Sequence, residues 1–290
     1  MKGHSRRKLF EVPAPFQQED CRILLLEPPE HCGLELRRQL LEGTYDKPFI
    51  LDQGGLRFLH FNLEQVQSLM RRDDPDALCL RYTRKMMAFL LFNAQPRRIL
   101  ILGLGGGSLA KFCYRRLPAA TITALEIDPR VIALRKEFRV PPNNKRFRVV
   151  QGDGSEYVAQ LGSRQDIILV DTYDRDGVAP ELATASFYRK ALLRLTLGGV
   201  LVVNIYGDVF ERASHFANMR AVFGNRLIAL PVRDDGNLIV LAFRTDAPIH
   251  HWARRERLAQ TLAKRFGLNF PRYLHRMTRS PTLTALHSSM

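Results

Sequence analysis

No stretch of this 290-residue chain approaches the roughly 18 consecutive apolar residues of a membrane-spanning helix, so a spanning helix is excluded. Cysteine is scarce: Cys21, Cys32, Cys79 and Cys113 are scattered, without the paired spacing of a metal site. They read as reduced thiols of a cytoplasmic protein, with no structural or catalytic metal expected. The basic start, Met1 to Lys8, has no apolar stretch behind it, so a secretory leader is not expected. No Gly-Lys-Ser/Thr phosphate loop occurs, which disfavours a nucleoside triphosphate. Acids are also in short supply, with 29 Asp+Glu against 44 Lys+Arg and a net charge of +15.

What is present is an ordinary globular composition, 46% hydrophobic and 25% charged, with apolar runs that argue against disorder. Much of the cationic excess sits at the ends. Lys2, Arg6, Arg7 and Lys8 open the chain, and Arg254, Arg255, Arg257, Lys264 and Arg265 lead a basic C-terminal stretch. Such ends can attract nucleic acid. A solvated helix and a loose terminus is the plainer expectation, and nucleic acid is not the favoured partner.

Residues 1–93 mix short strands, such as Arg22–Leu26 and Leu56–Phe61, with helical spacing. Asp73-Asp74-Pro75-Asp76 reads as a loop or a helix start, followed by a linking helix through Leu78, Tyr82, Met86 and Leu90. Residues 94–246 are regular. Aliphatic runs at 98–102, 121–125, 147–150, 166–170 and 200–203 alternate with helical segments, the pattern of a parallel sheet covered on both faces. Runs at 226–230 and 237–243 flank Asp234-Asp235-Gly236 and predict a terminal antiparallel hairpin. Residues 247–290 predict one basic helix, with Trp252, Leu258, Leu262 and Phe266 on one face, and a polar tail. The fold class is therefore α/β, Rossmann-like: a mostly parallel sheet with an antiparallel edge hairpin, a small N-terminal β-containing region and a basic C-terminal helix.

The sharpest local signal is Gly103-Leu104-Gly105-Gly106-Gly107-Ser108 between a strand and a helix. Glycines allow a tight turn and close ligand approach, and the helix start supplies free N–H donors. The next strand ends in Glu126-Ile127-Asp128, at the spacing where an acid meets ribose hydroxyls. Asp153 and Gly154 follow the third strand of this region, where a carboxylate can accept from an adenine amino group. Asp171, Asp174 and Asp176 follow the fourth; acids so close raise one another's pKa and can take a proton from an amine.

From about Leu56 to Phe243 the chain resembles the spermidine synthase (polyamine aminopropyltransferase) family. The resemblance rests on the glycine loop, Glu126-Ile127-Asp128, Gly152-Asp153-Gly154, Val170-Asp171-Thr172-Tyr173-Asp174 and Phe187-Tyr188, in that order. It implies a class I methyltransferase-like fold, a homodimer, and transfer of an aminopropyl group from decarboxylated S-adenosylmethionine to a small amine. Carried over by position, Gly103, Gly105 and Gly106 form the loop, and Glu126 with Ile127 meets the ribose side. Asp153 with Gly154 would meet the adenine. Asp174 is the candidate base at the acceptor amine, Tyr82 helps to hold that acceptor, and Asp171 completes the acidic segment. The chain departs from the family at Gly106, where the family has an Asp that binds the aminopropyl amine. It departs again at Arg175, where a proline is usual, and at Thr83, where His or Gln is usual. The family's Gln has three candidates, Gln17, Gln18 and Gln67.

Loss of the carboxylate at position 106 removes a device that excludes S-adenosylmethionine itself. A methyltransferase acting on a small molecule or RNA is therefore the second reading, and a non-catalytic nucleoside-binding protein the third.

Overall fold

The computed structural model describes residues 9–14, 21–28, 31–160, 162–172, 179–232, 236–246 and 252–277. The first five strands are β1 (Phe10–Pro13), β2 (Arg22–Leu25), β3 (Phe49–Gln53), β4 (Leu56–His60) and β5 (Val66–Arg71). They form an antiparallel sheet in sequence order. Gly54 and Gly55, both at positive φ, make the two-residue turn from β3 to β4, a conformation that favours glycine twice. Helix α1 (Gly33–Leu41) lays Leu36 and Leu40 on a small core of Val12, Ile23, Leu25 and Phe49. The charged residues Asp52 and Arg57 are buried between β3 and β4 as a two-bonded pair, 2.7 Å at each contact. Arg57 also donates to the Glu137 carbonyl at 2.8 Å, tying this sheet to the next region.

Of the two readings of Asp73–Asp76, the structure takes the loop. Asp74 and Pro75 lie in a turn, closed by Ala77 N–H to the Asp74 carbonyl, and α2 (Arg81–Met86) begins only at Arg81. Arg84 takes the carbonyls of Leu78 and Cys79, so these groups are not available to an earlier helical turn. A 3-10 turn, Met87–Leu91, follows and is entirely buried.

The larger sheet holds β6 (Arg98–Leu102), β7 (Thr121–Glu126), β8 (Phe147–Gln151), β9 (Gln165–Val170), β10 (Leu195–Ile205), β11 (Leu227–Pro231) and β12 (Leu238–Phe243). Its order is β11-β12-β10-β9-β6-β7-β8; the run from β10 to β8 is parallel, and β12 and β11 are antiparallel. The connecting helices are α3 (Ser108–Arg116), α4 (Pro129–Leu134), α5 (Gly154–Ala159), α6 (Ala185–Arg194) and α7 (Val209–Phe223). Continuous aliphatic strands such as Ile167–Leu169 are fully buried because both faces carry helices or loops. The order reverses between β9 and β7 around β6, which opens a crevice at the carboxyl ends of these strands.

The C-terminal region forms two helices rather than one, α8 (Trp252–Phe266) and α9 (Phe270–Met277), separated at Gly267 with positive φ. Ala259, Leu262 and Phe266 are buried, as are Phe270, Tyr273, Leu274 and Met277. Arg255 donates to the Leu91 carbonyl and lies 4.8 Å from the Phe92 ring centre. The basic segment is thus packed into the main core, with Arg254, Arg257, Lys264 and Arg265 exposed. Residues 1–8 and Arg279 lie outside the described residues. No described helix is long and apolar enough to cross a membrane.

Candidate active site

The crevice is a cavity of about 450 Å³ between β5, the start of α2 and the carboxyl ends of β6, β7, β8, β9 and β10. Gly103 shows why its entrance needs glycine. Its φ is +90°, and a Cβ there would lie 2.0 Å from the Asp171 carbonyl oxygen. Two strand ends, β6 and β9, therefore meet backbone to backbone at the floor, supported by Asp171 N–H donating to the Leu102 carbonyl at 2.9 Å.

Glu126 closes the loop from the side. One carboxylate oxygen accepts from Leu104 N–H at 3.0 Å and Gly105 N–H at 3.3 Å; the other accepts from Asp128 N–H at 3.1 Å. The second oxygen, with a single bond, keeps a lone-pair site for a hydroxyl on a ligand. Ile127 is 65% exposed and lines the cavity, an apolar surface of the kind a flat base packs on. Asp153 caps α5: its Oδ1 accepts from Ser155 N–H at 2.7 Å and Glu156 N–H at 2.9 Å. Partial burial raises its pKa, but these N–H donors outweigh that and hold it below the ordinary carboxylate value. The same residue thus fixes a helix start and lines the cavity beside Gly154.

At the other end lies a connected polar chain. Tyr82 donates its hydroxyl to Asp171 Oδ2 at 3.2 Å, and Asn204 Nδ2 donates to Asp171 Oδ1 at 2.9 Å. Asn237 Nδ2 in turn donates to Asn204 Oδ1 at 2.9 Å. Burial pushes the Asp171 carboxyl up to about 6, against the lowering effect of the Asn204 and Tyr82 donors. Tyr82, from the linking helix, and Asp171, from β9, are brought together across 89 positions of sequence.

Gly103, Gly105, Glu126, Ile127, Asp153, Gly154, Asp171 and Tyr82 all line this one cavity. Gly106 stands behind the loop, with Ser68 and Phe138 filling the space where its side chain would be. Gln67 lines the cavity, whereas Gln17 and Gln18, like Asp174, Arg175 and Asp176, lie outside the described residues. Sequence reading missed Ser68, Asn204 and Asn237. The signal for Asn204 was present: it is a lone amide near the carboxyl end of the aliphatic run of β10, where ligands of such sheets bind. Ser68 and Asn237 carried no comparable signal. Among the described residues no group of three His, Cys, Asp or Glu is placed to hold a metal.

The fold is Rossmann-like, of the class I methyltransferase kind, with an added N-terminal antiparallel sheet. Comparison with known proteins narrows this. The Spermine/spermidine synthase domain matches residues 80–225. A polyamine aminopropyltransferase of Chromobacterium violaceum is 38% identical over 239 residues, covering 82% of this chain and 92% of the relative. A spermidine synthase solved in complex with the transition state analogue AdoDATO shares the fold over 98% of this chain and 89% of its own, at 15% identity and a TM-score of 0.63. Human methyltransferase-like protein 13, solved in complex with SAH, is 25% identical with a TM-score of 0.56, covering 70% of this chain and 94% of that structure. The chain belongs to the spermine/spermidine synthase family.

Proposed function

We propose that the protein is a polyamine aminopropyltransferase that moves an aminopropyl group from decarboxylated S-adenosylmethionine to a small amine. Family membership supports the reaction class. The observation that carries the residue assignment is the Tyr82–Asp171–Asn204 cluster in the same cavity as the glycine loop and Glu126.

Glu126 takes the ribose hydroxyls, Ile127 packs on the base, and Asp153 with Gly154 meets the adenine edge. This places the sulfonium near the floor made by Gly103 and Asp171. Proximity then contributes much of the rate, because the carbon beside a sulfonium is already activated. The amine lone pair attacks that carbon, the carbon–sulfur bond breaks with its electrons going to sulfur, and methylthioadenosine leaves as a neutral thioether. The proton released by the amine passes to Asp171, whose pKa of about 6 leaves it ionised and basic at neutral pH. Tyr82 holds that carboxylate from the acceptor side. Asp174, the base expected from the sequence, lies outside the described residues; Asp171 is the described carboxylate that can take the proton, and Asp174 stays in this reading at the acceptor amine. The family resemblance also carries a homodimer and a cytoplasmic setting.

Methyl transfer from intact S-adenosylmethionine is the other reading, favoured by Gly106 and by the relative that holds SAH. Incubation with decarboxylated donor and a panel of di- and polyamines separates the two. The expected result is methylthioadenosine release that depends on the amine and falls at least 100-fold in Asp171→Asn. Absence of release above background with every amine overturns the proposal.

A further inference from the structure

Behind the glycine loop the cavity is lined by two hydroxyls, those of Ser68 and Ser108. Ser68, on β5, is 7% exposed and lines the cavity. Its Oγ would lie 2.6 Å from a Cβ at Gly106, and the Phe138 ring 2.9 Å, so any side chain at position 106 is blocked by residues already in place. The hydroxyl's contact, Ser108 Oγ at 3.4 Å, is longer than a normal O–H···O bond. A buried hydroxyl facing a cavity without a bond of normal length has donor capacity to spare. Ser108 supplies a second hydroxyl at the first position of α3, and the N-cap there is Gly107, which has no side chain to accept from the first-turn N–H groups. The carboxylates that line the cavity are held by other donors: Glu126 by the loop N–H groups, Asp153 by the start of α5 and Asp171 by Tyr82 and Asn204, while Glu64 is exposed.

From this corner we infer that the donor subsite admits a nucleoside whose amino-acid end keeps its carboxylate, with Ser68 and Ser108 as specificity-determining residues. Hydroxyls and helix-start N–H groups donate to a carboxylate, and the partial positive charge of the helix end favours an anion over an ammonium. The corner therefore does not reject S-adenosylmethionine, and the intact compound competes with its decarboxylated form. This inference rests on the reading of the cavity as a nucleoside-donor site and adds the ligand class that the site tolerates.

The test is calorimetry on the full chain with three probes: S-adenosylmethionine, its decarboxylated form and methylthioadenosine. Expected is a dissociation constant for the intact compound within tenfold of that for the decarboxylated one. Intact S-adenosylmethionine should also inhibit aminopropyl transfer competitively with the donor. Ser68→Asp should raise the ratio of the two constants at least tenfold against the intact compound, by charge repulsion. Ser68→Ala, a smaller change to the fold, should raise it about threefold. Tighter binding of the decarboxylated form by more than tenfold in the unaltered protein overturns the inference and leaves the proposed reaction standing. An unchanged ratio in both variants overturns the assignment to Ser68. Failure of all three probes to bind overturns the nucleoside reading itself, and the inference with it.

Discussion

Asn204 donates its side-chain amide to Asp171 at 2.9 Å, and its own carbonyl oxygen is held by Asn237 at 2.9 Å. Residues at the ends of three neighbouring strands, just after β9, near the end of β10 and just before β12, thereby hold one carboxylate in a single orientation. Tyr82 approaches the carboxylate's other oxygen from the helix that joins the two sheets.

That arrangement makes Asn204 a positioning residue. Its amide favours the ionised carboxylate, so Asn204→Ala should raise the Asp171 pKa further. A lost hydrogen bond of about 1 kcal/mol corresponds to about 0.7 pH unit. The acidic limb of the kcat/KM profile should move up by that amount, and Asn237→Ala should move it in the same direction by less. A purely structural role would lower activity at all pH values without displacing the limb.

In the unaltered protein, activity should increase as pH rises through about 6, because Asp171 must lose its proton before it can accept one from the amine. Asp171→Asn should remove this limb together with most of the turnover. A rate profile flat between pH 5 and 7, about one unit on either side of that value, would assign the base elsewhere.

Gly103 is where backbone geometry and chemistry coincide. Gly103→Ala would place a methyl group 2.0 Å from the Asp171 carbonyl oxygen in a left-handed conformation. Backbone cannot yield as a flexible side chain does, so the expected loss is at least about 3 kcal/mol, combining overpacking with strain. Denaturant midpoints would measure it. Gly152→Ala, with nothing within 4 Å, is the matched control and should cost little.

Lys111, on the helix that follows the glycine loop, is fully buried, its Nζ donating to the Phe138 carbonyl at 2.8 Å. Burial lowers its pKa to about 8 from the ordinary 10.5. Between these values the unfolded chain keeps a proton that the folded one has lost, so stability should rise with pH across that window. The full effect is on the order of 3 kcal/mol. Lys111→Met should abolish the rise, measured as Tm against pH.

That Gly103, Gly105, Glu126, Asp153 and Gly154 share one cavity was legible because these residues follow local rules. A glycine loop between strand and helix, an acid at the next strand end, and Asp153 just past the third strand of the larger sheet are all readable within short windows, whereas the capping of α5 by Asp153 was not read. The parallel strands were legible for the same reason: burial on both faces leaves a continuous aliphatic run. The break in the basic C-terminal segment at Gly267 and the late start of α2 were not, since each depends on what packs against or bonds to the segment. Nor could sequence alone show Ser68 filling the space beside Gly106, or Asn204 meeting Asp171 33 positions away.

By itself, then, the sequence determined the sheet, the glycine loop and the acids Glu126, Asp153 and Asp171 at the carboxyl ends of its strands. Only the tertiary structure decided which acid is enclosed, which donors orient it, and that the corner behind Gly106 is hydroxyl-lined rather than empty. Those properties arise where separate strands and helices meet. There, burial sets the pKa and a neighbour's side chain, rather than the residue's own identity, decides what fits.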